Sequence, residues 1–554
     1  MRNAFLWSCG VILMMQSVVA AGQDVVAEHG MVATSHKRAV EIGVEILKRG
    51  GNAIDAAIAT NAAMGVVEPM SCGLGGDLYA IVWDAKTHKL YALNASGRSP
   101  YATSIDYFRK QGLREIPTTG PLSWSVPGAV DGWDQLRQKF GTMSWEQLLT
   151  PAVECAEQGV EVPKTIGGFF QKAEPELRQY PDSAKTYLVK DGDAPKVGDV
   201  FKNPRLAATY RQIIRGGRDA FYKGPIAQQI VDFSQKNGGL FSLRDFADHT
   251  STWVDPVSTT YRGVRVWEIP PPGQGISVLQ MLNLIEPFDV KSMGAGSADW
   301  FQLFVEAKRL AYADRAKYYT DPNFAKVPVD RLISKEYAAQ RPKIDLKHAA
   351  PSTPPGEIAL GGDTIYLTVV DKDRNCVSLI QSNYAGFGSG MAPGDLGFVL
   401  QNRGCLFALD PAHANHLEPH RRPFHTIIPA MVTRDDRPWF CFGVMGGDMQ
   451  PQGHVEVLVN MLDFGMNIQQ AGDAPRVEHV GSATPTGRPE LGVGTVQAEQ
   501  SIPKEILDEL RRRGQHVITV AKNAGGYQGI LIDWDKGQLH GASESRRDGE
   551  ALGY

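Results

Sequence analysis

Small apolar residues recur at helical spacing over 52–65, NAIDAAIATNAAMG, with Asn52 placed to cap the run. The period then changes to two. DLYAIVWD (77–84) and KLYALNAS (89–96) alternate as strands, and the polar turn between them predicts a hairpin. Residues 100–345 read as mostly helical, with loops at PTTGPLSWSVPG and PPPGQG, and WFQLFVEAKRLAYADRAKYY has a good helical period. A Pro/Gly-rich stretch, PSTPPGEIALGGD (351–363), breaks the regular pattern as a linker or exposed loop. Strand patterns resume at 364–371 and 376–382, followed by loop to about 425 and further strands and helices. No internal repeat or low-complexity tract interrupts this order. The pattern as a whole is that of an α/β chain with antiparallel hairpins and a composition break near 350–363.

The N-terminus changes the picture of where the chain works. One basic residue precedes an apolar run that ends in small residues at Val18, Ala20 and Ala21, the layout of a secretory signal peptide over 1–21. A periplasmic or secreted protein is expected, with no membrane attachment after signal removal. The chain has 554 residues, 43% hydrophobic and 21% charged, enough for a large packed core. Its net charge of −4 argues against nucleic acid as a partner, because phosphate binding needs clustered Lys and Arg. Of six cysteines, Cys9 lies in the signal and the other five are scattered without a C-x-x-C pair, so neither a disulfide framework nor a thiolate zinc site is expected.

Several motifs fail on inspection. GLGGDL (73–78) lacks the third glycine of a dinucleotide loop and precedes a strand instead of following one. There is no P-loop and no G-x-S-x-G elbow. His413, His416, His420 and His425 sit in a Pro-rich loop, without the helical i,i+4 pairing that would converge ligands on a metal. No metal and no cofactor is expected.

What remains is the junction GGDT (361–364). If Val370 pairs with Cys376 across the turn, Thr364 faces Ser382, with Asn383 beside it. A threonine hydroxyl is a weak nucleophile without a base. A free α-amine, with an ordinary pKa near ~8, supplies one if the chain is cut between Asp363 and Thr364. Gly361 and Gly362 make the preceding loop permissive enough to be strained and cut. Strand propensity alone also accounts for a threonine at this position.

Resemblance to a known family separates these readings. MVATSHKRAVEIGVEILKRGGNAIDAAIA, VVEPMSCGLGGDL, VPGAVDGW, RDAFYKGPIA, EAKRLAYADRAKYYTDP, TIYLTVVDKDRNCVSL, FGSGM, MGGD and GASESRRDGEALGY follow in an order that resembles the γ-glutamyltranspeptidases, N-terminal-nucleophile hydrolases. The resemblance implies an α+β fold, a four-layer αββα sandwich built from a large subunit (22–363) and a small subunit (364–554) of one self-cut precursor. It implies Thr364 as nucleophile, Ser382 as the hydroxyl supporting it, and Gly446 and Gly447 as the oxyanion pair. The implied reaction is γ-glutamyl transfer or glutathione hydrolysis through an acyl-enzyme, with water or an amine as acceptor.

The residues that would read a γ-glutamyl group depart from the family pattern. The family's acidic position falls at Leu406, its serine pair at His425 and Thr426, and its arginine near Ser96, where Arg98 is the nearest substitute. Arg403 replaces a neutral residue, and 408–420 is shorter than in typical members, so their lid is expected to be missing. Arg98, Arg403 and His425 suit a carboxylate, with Asn383 and Thr426 completing the expected substrate contacts. The junction also resembles a divergent branch that includes oxamate amidohydrolase and cephalosporin acylases. An amidase for a non-γ-glutamyl, carboxylate-bearing amide is therefore one alternative. An uncut, non-catalytic relative is another.

Overall fold

The computed structural model describes residues 22–189, 192–351, 363–522 and 525–554. The signal-like stretch 1–21 and most of the Pro/Gly-rich segment lie outside the described residues, as does the side chain of Asp363.

The hairpin patterns build two stacked seven-stranded sheets. The first runs, in spatial order, Glu550–Gly553, Met31–Thr34, Asp363–Val370, Cys376–Tyr384, Asp77–Asp84, Lys89–Ala95 and Thr252–Val254. The second runs Val25–Ala27, Gln538–Ser543, Tyr527–Asp533, Arg437–Val444, Ala430–Arg434, Val264–Glu268 and Val257–Tyr261. Every pairing within these two sheets is antiparallel.

Alternation decides the layers. Ile365, Leu367 and Val369 pack into a core shared with helices Lys37–Lys48, Ala53–Val67 and Trp145–Gln158. Tyr366 and Val370, on the opposite face of the same strand, join the core between the sheets. Helices Gly275–Ile285 and Met449–Leu462 cover the outer face of the second sheet, and Ala298–Tyr318 packs on Gly275–Ile285. The result is the αββα sandwich.

Helix Ala53–Val67 is buried all round, and Asn52 caps it as its sequence predicts, accepting from the Ile54 and Asp55 amides at 3.0 Å each. The mostly helical reading of 100–345 misses the two-residue pair Val160–Glu161 and Val200–Phe201 and three further strands, Thr252–Val254, Val257–Tyr261 and Val264–Glu268. All are two to five residues long, too short to carry a period. The last two turn at Arg262 and Gly263, both with positive φ (46° and 84°), the geometry of a tight hairpin.

Stretches before and after Thr364 interleave in both sheets, and Asp363–Val370 pairs with Met31–Thr34 on one side and Cys376–Tyr384 on the other. Among the described residues, no helix is long and apolar enough to cross a membrane. The cysteines there are free and buried, and no group of three His, Cys, Asp or Glu side chains is arranged to hold a metal.

Candidate active site

Val370 pairs with Cys376, and the ladder continues in that register to Ile365 opposite Gln381. It then shifts, and Asp363 pairs with Tyr384. Thr364 thus lies against two residues, Ser382 and Asn383, at a bulge. A bulge re-aims a side chain, and here the hydroxyls meet: Thr364 Oγ1 donates to Ser382 Oγ at 3.2 Å. Ser382 Oγ also accepts the Tyr384 amide at 2.8 Å. Both hydroxyl residues are buried and lie on the inter-sheet face, at one end of the first sheet.

Tyr384 has φ of 81°, an outlier for a bulky residue and a mark of local strain. Its ring lies 5.3 Å from the Arg403 guanidinium. Asn383 is locked from behind, donating Nδ2 to the Pro69 and Cys72 carbonyls at 3.2 Å each. The turn Gly73–Gly76 presses against this strand, and a Cβ on Gly76 would meet the Ser382 carbonyl at 2.6 Å. GLGGDL is therefore a close-packing turn beneath the Thr364–Ser382 pair, where glycine is needed for close approach.

Gly446 and Gly447 follow the strand Arg437–Val444 of the facing sheet, with φ of 114° and 60°. Neither amide donates to a partner among the described residues. Two adjacent N–H groups left open by a glycine turn are what an oxyanion requires. A Cβ on Gly446 would meet the Gly525 amide nitrogen at 2.7 Å.

A pocket opens beside this end of the sheets, lined by Arg114, Ile116, Tyr384, Leu406, Phe424, Thr426, Asp448 and Arg488 among others. Leu406 and Thr426 both face it. Arg403 is fully buried behind the wall and donates Nη1 to Thr426 Oγ1 at 3.2 Å, while its Nε and Nη2 have no partner among the described residues. Burial lowers its pKa, and Asp77 opposes that shift.

Of the five expected substrate contacts, Thr426 alone lines this pocket; Asn383 and Arg403 are buried outside its lining, and Arg98 and His425 lie elsewhere. Arg98 donates to the Thr250 carbonyl at 3.2 Å and is absent from the pocket lining; burial, then its neighbour Arg422, lowers it to about 10. Arg98 lies two residues beyond Ser96, and its side chain is directed at the Thr250 carbonyl instead of the pocket. His425 is fully buried, edge-on to Tyr79, and lies 2.8 Å from Asp77 Oδ2 without hydrogen-bonding alignment. Burial, reinforced by Arg403, holds it neutral. A neutral ring beside a carboxylate offers no charge to an anion.

Asp77 is a residue that sequence reasoning passed over. It sits opposite Ser382 in the ladder, and its Oδ1 accepts from the Gly97 amide (2.9 Å), the Gly128 amide (3.0 Å) and Gln401 Nε2 (2.9 Å). Burial raises its pKa to about 7, against the pull of Arg403. Arg315 and Asp448 were missed too. Asp448 had a signal as the acid after Gly446–Gly447, whereas Arg315 is one of several charged residues on helix Ala298–Tyr318 and nothing local marks it.

An αββα sandwich with a threonine at the head of a central strand, a hydroxyl partner and an open glycine turn defines a class: amide-hydrolysing enzymes of the N-terminal-nucleophile type. The chain belongs to the γ-glutamyltranspeptidase family, whose sequence model, Gamma-glutamyltranspeptidase, matches residues 39–554. It is similar to the glutathione hydrolase-like YwrD proenzyme of Bacillus subtilis, with 36% identity over 96% of this chain and 99% of that one. The oxamate amidohydrolase proenzyme of Klebsiella pneumoniae is 33% identical over 96% of this chain and 99% of its own. Among solved structures, the cephalosporin acylase from Bacillus halodurans superposes with a TM-score of 0.89 at 39% identity, covering 98% of this chain and 99% of that one. The chain is an enzyme of the N-terminal threonine hydrolase and acyltransferase type.

Proposed function

We propose that the precursor cuts itself between Asp363 and Thr364 and that the freed Thr364 hydrolyses a carboxylate-bearing amide. The observation that carries this is the Thr364 Oγ1–Ser382 Oγ contact of 3.2 Å at a bulge. In the cut, Thr364 Oγ1 attacks the Asp363 carbonyl carbon, the peptide C–N bond breaks, and the nitrogen keeps the hydroxyl proton as an ester forms. Water then hydrolyses the ester. Asp363 ends as a carboxylate, and the Thr364 α-amine is the base that a threonine nucleophile needs. In turnover the same oxygen attacks the substrate amide, the leaving amine takes the proton, and water or an amine acceptor releases the acyl group. Gly446 and Gly447 donate to the oxyanion in both reactions. The proenzyme names of the Bacillus and Klebsiella relatives support a two-subunit product, 22–363 and 364–554.

For the acyl group, the pocket favours a carboxylate without a neighbouring ammonium. Arg114 lines it, and Arg403 stands behind Thr426 with Nε and Nη2 unpartnered among the described residues, while the acids lining it are engaged: Asp448 with Arg315, and Glu115 with Arg488. Leu406 cannot pair with an ammonium. Arg403, Thr426 and Asn383 are proposed to position the acyl group; Arg98 and His425 are assigned no contact with it. Glutathione hydrolysis is the second reading, favoured by the name of the Bacillus subtilis relative. The test compares kcat/KM for glutaryl, oxamyl and γ-glutamyl amides on cut protein. Preference for a glutaryl or oxamyl amide supports the first reading; efficient γ-glutamyl turnover overturns it.

A further inference from the structure

The glycine turn is tied to the rest of the molecule by side chains that the reaction scheme leaves unused. Gln274, fully buried in the PPPGQG loop, donates Nε2 to the Gly447 carbonyl at 2.9 Å and to the Thr426 carbonyl at 2.7 Å. Its Oε1 accepts from Arg315 Nη1 at 2.6 Å. Two acceptors on one side and a guanidinium on the other leave its amide a single orientation. Arg315 then forks onto Asp448, with Nη1 to Oδ1 at 2.7 Å and Nη2 to Oδ2 at 3.1 Å. Tyr312, three residues earlier on the same helix face, donates its hydroxyl to the Asp448 carbonyl at 2.5 Å, and its ring centre lies 3.8 Å from the guanidinium.

Gly446–Gly447–Asp448 is therefore pinned at the Gly447 carbonyl, the Asp448 carbonyl and the Asp448 side chain. Two glycines with positive φ are the least self-determined backbone in the site, so their N–H directions depend on such pins. Stability alone does not call for this arrangement, since a buried ion pair is commonly matched or bettered by apolar packing of the same volume. The Gln274 amide also joins the turn to Thr426, which faces the pocket and holds Arg403.

We propose that Gln274 and Arg315 are positioning residues: they aim the Gly446 and Gly447 amides at the oxyanion and couple that turn to the acyl-pocket wall at Thr426. This rests on the reading of Thr364 as the nucleophile. Both reactions at Thr364 pass through an oxyanion, so both should slow together.

The experiment measures self-cleavage rate, kcat per active site titrated with a stoichiometric acylating inhibitor, and KM, in wild type, Gln274→Leu and Arg315→Lys. Gln274→Leu is expected to lower self-cleavage and kcat in parallel by about tenfold to a hundredfold, less than the loss of a donor itself, with KM within about threefold. Arg315→Lys, which keeps the charge and loses the fork, is expected to fall between wild type and Gln274→Leu. A merely structural role would reduce the titrated fraction and leave kcat per site unchanged. An unchanged kcat per site in Gln274→Leu, in protein whose wild type is cut at Thr364, overturns the positioning role alone. A wild type with no terminus at Thr364 overturns the underlying reading instead.

Discussion

At Asp77 a carboxyl is kept from water and needed in place at once. Burial raises its pKa to about 7, well above the ordinary value near ~3.9 of an unfolded chain. The folded state therefore binds this proton more tightly than the unfolded state. The stability it brings is complete below pH ~4 and is lost as pH rises through about 7. Asp77→Asn keeps an oxygen for the Gly97, Gly128 and Gln401 donors and removes the titration. The melting temperature of wild type relative to Asp77→Asn should fall between about pH 4 and 7 and level off above that. A difference that stays flat over that range contradicts the assignment.

Arg403 is read by substrate, not by pH. Arg403→Met keeps most of the volume and removes the open donors, so KM for a carboxylate-bearing amide should rise by about tenfold to a hundredfold, as expected for a charge-assisted hydrogen bond. A neutral amide of the same size should be little affected. Equal losses on both substrates would remove Arg403 from recognition.

Among elements, the hairpin 363–384 was the most legible part of the site. Its turn fixes the pairing of Val370 with Cys376, and that register brings Thr364 to Ser382 without any tertiary information. The one-residue shift beyond Ile365 was not legible, because a bulge leaves no mark in the alternation. The clamp on the glycine turn was invisible for a different reason. Gln274, Arg315 and Asp448 come from three elements far apart in sequence, and nothing local announces their meeting. Arg98 shows the converse: proximity in sequence to Ser96 suggested a role that side-chain direction denies. Helix Ala53–Val67 was legible at its start and gives a clean test. Asn52→Ala removes the capping box and the Nδ2 bond to the Phe140 carbonyl at 2.7 Å, and should cost about 1–2 kcal/mol by denaturant titration. A loss below about 0.3 kcal/mol would mean that packing alone holds this end.

In the whole molecule, the αββα order and the family were legible, the first from the resemblance and the second from motifs spread over most of the chain. The pocket's chemistry was only partly so: the loss of the acid at Leu406 could be read directly, whereas the lining by Arg114, Arg315 and Arg488 required the fold. The interleaving of both chain segments in both sheets has a mechanical consequence. A cut before Thr364 severs one peptide bond but leaves the strand Ile365–Val370 hydrogen-bonded between neighbours from both segments. The two pieces should co-elute on native size exclusion and separate only in denaturant.

All of this depends on where the mature chain begins. The most direct measurement is intact mass and N-terminal sequencing of the purified protein beside Thr364→Ala. Wild type is predicted to give a fragment beginning Thr-Ile-Tyr-Leu and a second fragment ending at Asp363, with Thr364→Ala remaining whole and inactive. A wild-type chain that stays whole yet hydrolyses amides, or a Thr364→Ala chain that still cuts at this bond, would contradict the account.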